Sequence, residues 1–121
     1  MLPAAHRMRR SVDFERAVRS GVRAGRSTVV VHLTQDSGGD EPPQVGFVVS
    51  KAVGNAVHRN KVKRRLRAAS QSYLDALPPQ TRVVVRALPA AASSDFAQLD
   101  QDLASCLKRA ATRWGQRTAD A

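Results

Sequence analysis

The sequence predicts an α+β fold, a single domain in which helices pack on a small mixed sheet. Two runs rich in β-branched residues, 28–34 and 81–87, predict strands. Three other segments, 11–20, 55–77 and 95–114, repeat apolar residues at helical spacing. With 121 residues, the chain has room for one modest core. The expected order is α-β-β-α-β-α, and one more strand before the second helix would fit the same sandwich.

The N-terminal region divides into an arm and a helix. Residues 1–10 contain three arginines and no acid, which predicts a loose basic arm. Ser11 is placed to cap the helix, because its hydroxyl can accept a hydrogen bond from a free backbone amide. Phe14 and Val18 are four residues apart and share one helix face. Gly21 is placed to end the helix.

Two strands follow, separated by a turn-rich loop at 35–43. Successive side chains on a strand point to opposite faces. In the first strand one face therefore carries Val29, Val31 and Leu33, and the opposite face carries Val30 and His32. The second strand is predicted at 44–51. One of its faces carries Phe47, Val49 and Lys51, and the other carries Val48 and Ser50.

The segment from Gly54 to Arg67 carries six Lys or Arg residues and no acid. No Asp or Glu occurs between Glu41 and Asp75, so no carboxylate stands at the i±3 or i±4 positions that would pair these charges on a helix. The whole chain has a formal net charge of +10. A solvated charged face is the ordinary alternative, but uncompensated positive charge favours polyanion binding.

A helical wheel divides this basic helix into two faces. Asn55 is placed to cap the helix, and Pro78 ends it. The predicted buried stripe is Val62, Leu66, Ala69, Tyr73 and Leu77. The opposite face carries Asn60, Arg64 and Arg67, with Lys63 beside them. An amide among cations favours base, sugar or 2′-hydroxyl contacts in addition to phosphate contacts.

The last helix begins where Asp95 and Gln98 have capping-box spacing. Its predicted apolar stripe is Phe96, Leu99, Leu103, Leu107, Ala110 and Trp114. The sequence shows no internal repeat and no second domain. The predicted organisation is a basic arm at 1–10, one RNA-binding domain at 11–114 and a tail at 115–121.

The residues do not predict a catalytic or metal site. His6, His32 and His58 lack metal-ligand spacing, and Cys106 stands on an apolar stripe as a core thiol would. Asp95, Asp100 and Asp102 fall in the first turns of a helix, where capping and the helix dipole account for them. A single cysteine excludes an intramolecular disulfide, and no apolar run is long enough for a membrane span. We therefore expect a cytoplasmic protein with no membrane partner.

A second surface is predicted on the sheet. Phe47, Val49 and Lys51, together with Val30 and His32, would form a cleft if their faces meet the Phe14 side of the first helix. Clefts with apolar and basic walls bind single-stranded nucleic acid by stacking and phosphate contact. The alternative is that these residues form the core, and periodicity alone favours that alternative.

The basic segment also resembles a known family. Val49-Ser50-Lys51, Gly54-Asn55-Ala56-Val57 and the run from Arg59 to Arg67 are similar to the signature of the bacterial ribonuclease P protein subunit. The resemblance extends to the Arg-rich start, Asp13-Phe14 followed by Gly21, the strand at 81–87 and the final amphipathic helix.

The resemblance implies a subunit of a ribonucleoprotein endonuclease that removes the 5′ leader from precursor tRNA. In that enzyme a large RNA holds the active site and its Mg²⁺ ions, so no cofactor is expected on the protein alone. The implied fold has a left-handed strand–helix–strand crossover, like ribosomal protein S5 domain 2, opposite to the general rule. A ribosomal or other structural RNA-binding protein is the alternative function. A DNA-binding domain is weaker, since no helix-turn-helix spacing occurs.

The resemblance also assigns residues to two surfaces. Those expected to bind the catalytic RNA are Arg59, Asn60, Lys61, Lys63, Arg64, Arg65 and Arg67. Those expected to line the leader cleft are Phe14, Val18, His32, Phe47, Val49 and Lys51. This chain departs from the family pattern at Val18, His32 and Ala52, and at 86–89. Because the cleft has fewer aromatic residues, we expect the leader bases to stack less on its side chains.

Overall fold

A computed structural model describes residues 4–119. The helices and strands are α1 (Ser11–Ser20), β1 (Val22–Gly25), β2 (Val29–Gln35), β3 (Gln44–Val48), α2 (Ala56–Leu74), β4 (Thr81–Ala87) and α3 (Phe96–Ala119). Three short 3-10 turns accompany them, at Ala4–His6, Lys51–Val53 and Pro89–Ser93. Every predicted helix and strand is present, and β1 is the additional strand.

The four strands form one mixed sheet in the order β1-β2-β4-β3. The β1–β2 and β2–β4 pairs are antiparallel, whereas β3 and β4 are parallel. Parallel neighbours need a crossover connection, and the segment containing α2 supplies it. The predicted α+β class with a mixed sheet is confirmed. The left hand of the crossover stays a prediction.

The two faces of the sheet are covered differently. One face packs against α2 and α3 and holds the main core, whose fully buried side chains include Leu66, Leu99, Leu103, Val29, Val31, Val83, Val85 and Cys106. The other face is covered by α1, over a smaller cluster of Met8, Ala17 and Val84 with Phe14 packed against it. We call this second face the α1 side of the sheet.

An ionic network holds α1 at one end of the sheet. The Arg82 side chain of β4 is buried, with its Nη2 2.9 Å from Glu41 Oε2 and its Nε 3.6 Å from Asp36 Oδ2. Asp36 also accepts a hydrogen bond of 2.9 Å from Arg16 of α1. A buried guanidinium requires such partners, because an unpaired buried charge is strongly destabilising. The network therefore joins α1, β4 and the loop before β3.

The start of α1 differs from the prediction, and its end agrees. Ser11 is already helical, and Arg10 occupies the cap position without a side-chain cap hydrogen bond. Gly21 ends the helix as predicted. A side chain there would collide with the Leu33 carbonyl, so glycine permits the close approach of the chain to β2.

The N-terminal arm is not loose over the part that the structure describes. The Met8 amide donates to the Val45 carbonyl at 3.0 Å, and His6 Nδ1 lies 2.7 Å from the Pro43 carbonyl oxygen. The Met8 side chain is buried. The prediction failed because β3 is an edge strand whose free backbone groups and apolar neighbours bind the arm. The prediction for residues 1–3 lies outside the described residues.

Both long helices begin with the predicted caps. Asn55 Oδ1 accepts from the His58 amide at 3.1 Å, and Asp95 Oδ1 accepts from the Gln98 amide at 2.8 Å. In α2 the buried residues are Val62, Leu66, Ala69, Ser70 and Leu74. Tyr73 and Leu77 are only partly buried against the core, and Leu77 follows the end of the helix.

The last helix is longer than predicted. It continues to Ala119, so residues 115–119 are helical rather than a tail, and 120–121 lie outside the described residues. Arg117 stabilises this extension by donating to the Ser20 carbonyl at 2.7 Å and lying 5.6 Å from the centre of the Trp114 ring. Phe96 is 43% exposed, so it does not belong to the buried stripe.

A buried carboxylate attaches α3 to the sheet. Asp102 accepts hydrogen bonds from the Thr28 hydroxyl at 2.6 Å and from Gln98 Nε2 at 2.9 Å. Both Asp102 and Thr28 are almost fully buried. The carboxylate therefore has a structural role, as its place in the first turns of a helix predicted.

Asp102→Ala is expected to lower the free energy of unfolding by about 2–3 kcal/mol, because it leaves the buried Thr28 hydroxyl without an acceptor. Urea denaturation measures this change. Asp75→Ala, at an exposed position after α2, is the matched control and is expected to have little effect. Equal stability of the two variants would contradict the assignment.

Candidate nucleic-acid interface

The predicted polar face of α2 is present as one shallow groove. Asn60, Lys63, Arg64 and Arg67 line it together with Val57, which is 74% exposed. These residues recur at intervals of three and four, so consecutive helical turns bring them together. We call this surface the α2 groove.

Positive charge in the α2 groove is not neutralised by any ion pair within residues 4–119. Ion pairs in this part of the chain include those of Arg10, Arg16, Arg19 and Arg82, and none joins a cation of α2 to a described carboxylate. The sequence spacing predicted this absence of helix partners, and no distant carboxylate of residues 4–119 forms an ion pair in the groove either. The groove can therefore bind the phosphates of a nucleic acid without first breaking ion pairs.

Three of the seven predicted RNA-binding residues lie outside the α2 groove. Arg65 points to the opposite side and donates to the Ser94 carbonyl at 2.9 Å. Lys61 is exposed on the neighbouring helix face. Arg59 is half-buried, and its shielded Nε makes no hydrogen bond in the part of the chain that the structure describes. RNA binding by any of the seven stays a prediction.

The six residues predicted to line a cleft do not share one surface. Phe14 and His32 lie on the α1 side of the sheet, and Val18 is exposed on α1. Phe47 and Val49 instead pack against the main core on the opposite face. Lys51 is exposed in the 3-10 turn that follows β3.

The placement of Phe47 and Val49 corrects the predicted cleft. Phe47 pairs across the sheet with Val85, a core residue, and β3 ends at Val48. Alternation within β3 was predicted correctly, but the sequence does not show which of its two faces meets α1. The structure shows that this face carries Gly46, over which the Phe14 ring packs so closely that a Cβ would collide with it.

The α1 side of the sheet has an exposed part that sequence reasoning missed. Register places Val48 beside Arg86, and Arg23 beside His32. These residues, with Gly25, form the end of the face away from Arg82, and we call them the open sheet end. The sequence of β4 contains a sign of this surface, because every second residue, Arg82, Val84 and Arg86, lies on one face and two of the three are arginines. The strand order is needed to show that this face lies on the α1 side.

His32 reports the electrostatics of the open sheet end. Its partial burial lowers the pKa of the imidazole below 6.5, and the neighbouring guanidinium groups of Arg23 and Arg86 lower it further. The ring is therefore mainly neutral at pH 7, and an aromatic surface stands between two cations.

The part of the α1 side near Phe14 and Gly46 is joined to α2 at the edge of β3. A cavity of about 160 Å³ there is lined by Arg7 and Arg9 of the arm and by Lys63 and Arg67 of α2. Phe47 contributes to its wall. The docked arm thus extends the basic surface, which the sequence analysis treated as two separate regions.

The described residues contain no assembled catalytic or metal centre. No three His, Cys, Asp or Glu side chains within 4–119 lie close enough to hold a metal ion. Cys106 is buried, and burial raises the pKa of its thiol. Asp100 accepts a hydrogen bond from the Tyr73 hydroxyl at 2.8 Å. In the same residues, no helix is both long and apolar enough to cross a membrane.

Fold and surface together define a small basic α+β protein of the nucleic-acid-binding class. Residues 2–111 match the Ribonuclease P family. The chain therefore belongs to the ribonuclease P protein family, and the sequence resemblance is confirmed.

Relatives and solved structures agree with this assignment. The chain is 53% identical over 110 residues to the ribonuclease P protein component of a Nocardioides species, covering 90% of this chain and 94% of the relative. It is 54% identical over 116 residues to that of Streptomyces avermitilis, with the same two coverages, 90% and 94%. The Staphylococcus aureus RNase P protein superposes with a TM-score of 0.78 at 28% identity, covering 87% of this chain and 94% of that protein. The Thermotoga maritima RNase P protein superposes with a TM-score of 0.73 at 27% identity, covering 85% of this chain and 96% of that protein.

Arg65→Ala is expected to lower the free energy of unfolding by about 1 kcal/mol, because it removes the hydrogen bond to Ser94. Arg64→Ala is the matched control, since Arg64 is an exposed residue of the α2 groove, and its effect is expected to stay within about 0.5 kcal/mol. Chemical denaturation of both variants provides the comparison. A larger loss for Arg64→Ala would reverse the assignment.

His32 is expected to make stability depend on pH. Because its pKa is lowered in the folded state, the unfolded chain binds more protons as pH falls through 6.5, so stability decreases there. His32→Gln should reduce the difference in unfolding free energy between pH 7.5 and pH 5.5. Equal pH dependence in the two proteins would show that His32 is not perturbed.

Proposed function

We propose that this chain binds the catalytic RNA of ribonuclease P through the α2 groove and the 5′ leader of precursor tRNA through the α1 side of the sheet. As a family member, the chain is the protein component of ribonuclease P, an endoribonuclease whose RNA performs catalysis. The alternative of a ribosomal or other structural RNA-binding protein is not favoured by these relatives.

Binding of the catalytic RNA is supported by the uncompensated positive charge of the α2 groove. Lys63, Arg64 and Arg67 line it without an ion pair within residues 4–119, and Asn60 adds an amide. Arginine binds phosphate oxygens in a bidentate manner, which holds an RNA backbone in a defined orientation. The amide can both donate and accept, which suits a 2′-hydroxyl or a base edge.

Binding of the 5′ leader is supported by the shape of the α1 side of the sheet. Phe14 lies at the boundary between α1 and the sheet, and the open sheet end continues beyond it with exposed Val48, Arg23 and Arg86. An apolar border beside cations suits a single strand, whose bases stack while its phosphates meet positive charge. A precursor tRNA differs from mature tRNA by such a strand.

Magnesium is proposed to act with the RNA subunit. Mg²⁺ is held by carboxylate and phosphate oxygens, and the described residues bring no set of three such ligands together. The chain's contribution is charge and position: its cations reduce repulsion between the leader and the catalytic RNA, so less Mg²⁺ is needed for binding. We also place the protein in the cytoplasm, consistent with its single, buried cysteine.

Reconstitution tests this function. The protein alone is expected to leave precursor tRNA uncut, and adding it to ribonuclease P RNA at low Mg²⁺ should increase release of the leader. The holoenzyme should bind precursor tRNA more tightly than mature tRNA. Unchanged cleavage on adding protein would refute the proposal.

Arg64→Ala is expected to weaken binding to ribonuclease P RNA by roughly 1–3 kcal/mol, because it removes charge-assisted hydrogen bonds. The dependence of the binding constant on salt should also become shallower. Lys108→Ala, which removes an exposed charge on α3, is the control. If both variants bind the RNA equally well, Arg64 is outside the interface.

A further inference from the structure

Two arginines on the α1 side of β4 are in opposite situations, although they are only four positions apart in the sequence. Arg82 is 4% exposed and paired with both Asp36 and Glu41. Arg86 is exposed, and its guanidinium has neither an ion pair nor a hydrogen bond within residues 4–119. The first arginine is part of the scaffold. The second has no structural partner that would explain its position.

Arg86 belongs to a row that crosses three adjacent strands. Its register partner on β2 is Val30, and His32 follows two residues further on the same face. Arg23 of β1 lies directly opposite His32. Neighbouring strands are about 4.8 Å apart and two residues span about 6.8 Å along a strand, so Arg23 and Arg86 lie diagonally on the sheet, with their Cα atoms roughly 12 Å apart. Both guanidinium groups are close enough to His32 to disfavour its protonation.

Within residues 4–119, no acid forms an ion pair with this row. The described residues that share the open sheet end are Gly25 and Val48, both exposed and uncharged. The nearest network of carboxylates surrounds Arg82 at the other end of the face. Like charges held together without a counter-charge repel each other, and a bound anion would remove that repulsion.

We propose that Arg23, His32 and Arg86 form a phosphate-binding row that holds the backbone of a single RNA strand. The inference rests on the proposed function, because the strand it assigns is the leader of precursor tRNA. Each guanidinium binds a phosphate oxygen, and the neutral imidazole between them donates a hydrogen bond or stacks on a base. Leader binding in this chain is then mainly ionic.

Single charge removals in the assembled holoenzyme test the row. Arg23→Ala and Arg86→Ala are each expected to weaken binding of leader-bearing precursor tRNA about tenfold. Each should reduce the slope of log affinity against log salt by about 0.7, the value for one contact to a single strand. Binding of mature tRNA and of ribonuclease P RNA should stay within about twofold of the wild-type values. Lys108→Ala, on the other side of the sheet, controls for the loss of one positive charge.

Neutral linkages in the leader locate the contact. Precursor tRNAs that carry one methylphosphonate at successive leader positions lose one phosphate charge at a time. A methylphosphonate at the contacted position should weaken binding to the wild-type holoenzyme. The same substitution should not weaken binding to the Arg86→Ala holoenzyme any further, because that variant already lacks the contact. Such non-additivity is the signature of a direct pair. Additive losses at every leader position would overturn the proposal.

The two hypotheses fail in distinguishable ways. If wild-type holoenzyme binds precursor and mature tRNA equally, the leader role in the proposed function is wrong. If the wild type prefers the precursor while Arg23→Ala and Arg86→Ala behave like Lys108→Ala, the row alone is wrong. Weaker binding of ribonuclease P RNA by either variant would place the row in the assembly interface and would also overturn it.

Discussion

The buried guanidinium of Arg82 is the interaction on which the functional arrangement depends. It binds Glu41 and Asp36, and Asp36 in turn binds Arg16 of α1. These contacts place a short helix over one end of a four-stranded sheet and leave the other end uncovered. A sheet face that is half covered by its own helix has an accessible surface bordered by Phe14, and that surface is available to a ligand.

The distribution of acids follows the same division. Carboxylates cap helices, as Asp95 does, or form buried contacts, as Asp102 does, or neutralise Arg82. None occurs between Glu41 and Asp75, the stretch that supplies β3 and α2. The acids with capping or buried contacts thus serve the scaffold, and positive charge is left at the α2 groove and the open sheet end. The two RNA strands of the proposed function would therefore meet two regions that carry positive charge, the α2 groove and the open sheet end.

Local features were predictable from the sequence, and features set by distant contacts were not. The caps at Asn55 and Asp95 depend on neighbours three residues away, so spacing was sufficient to predict them. The docking of the arm depends on an edge strand at Val45, and the orientation of Arg65 depends on Ser94. A period of two gives both faces of a strand without saying which one meets α1, so the sequence could not place Phe47, which packs against the core and also lines a cavity with Phe14 at the sheet edge.

The central claim is that the two surfaces hold different RNAs, and tethered cleavage tests it most directly. Cys106 is fully buried, so a single cysteine introduced by Asn60→Cys or Val48→Cys can be labelled selectively with an iron chelate. In holoenzyme bound to precursor tRNA, hydroxyl radicals generated at position 60 should cut the RNA subunit, and those generated at position 48 should cut the leader. Cleavage of the same RNA segment from both positions would contradict the claim.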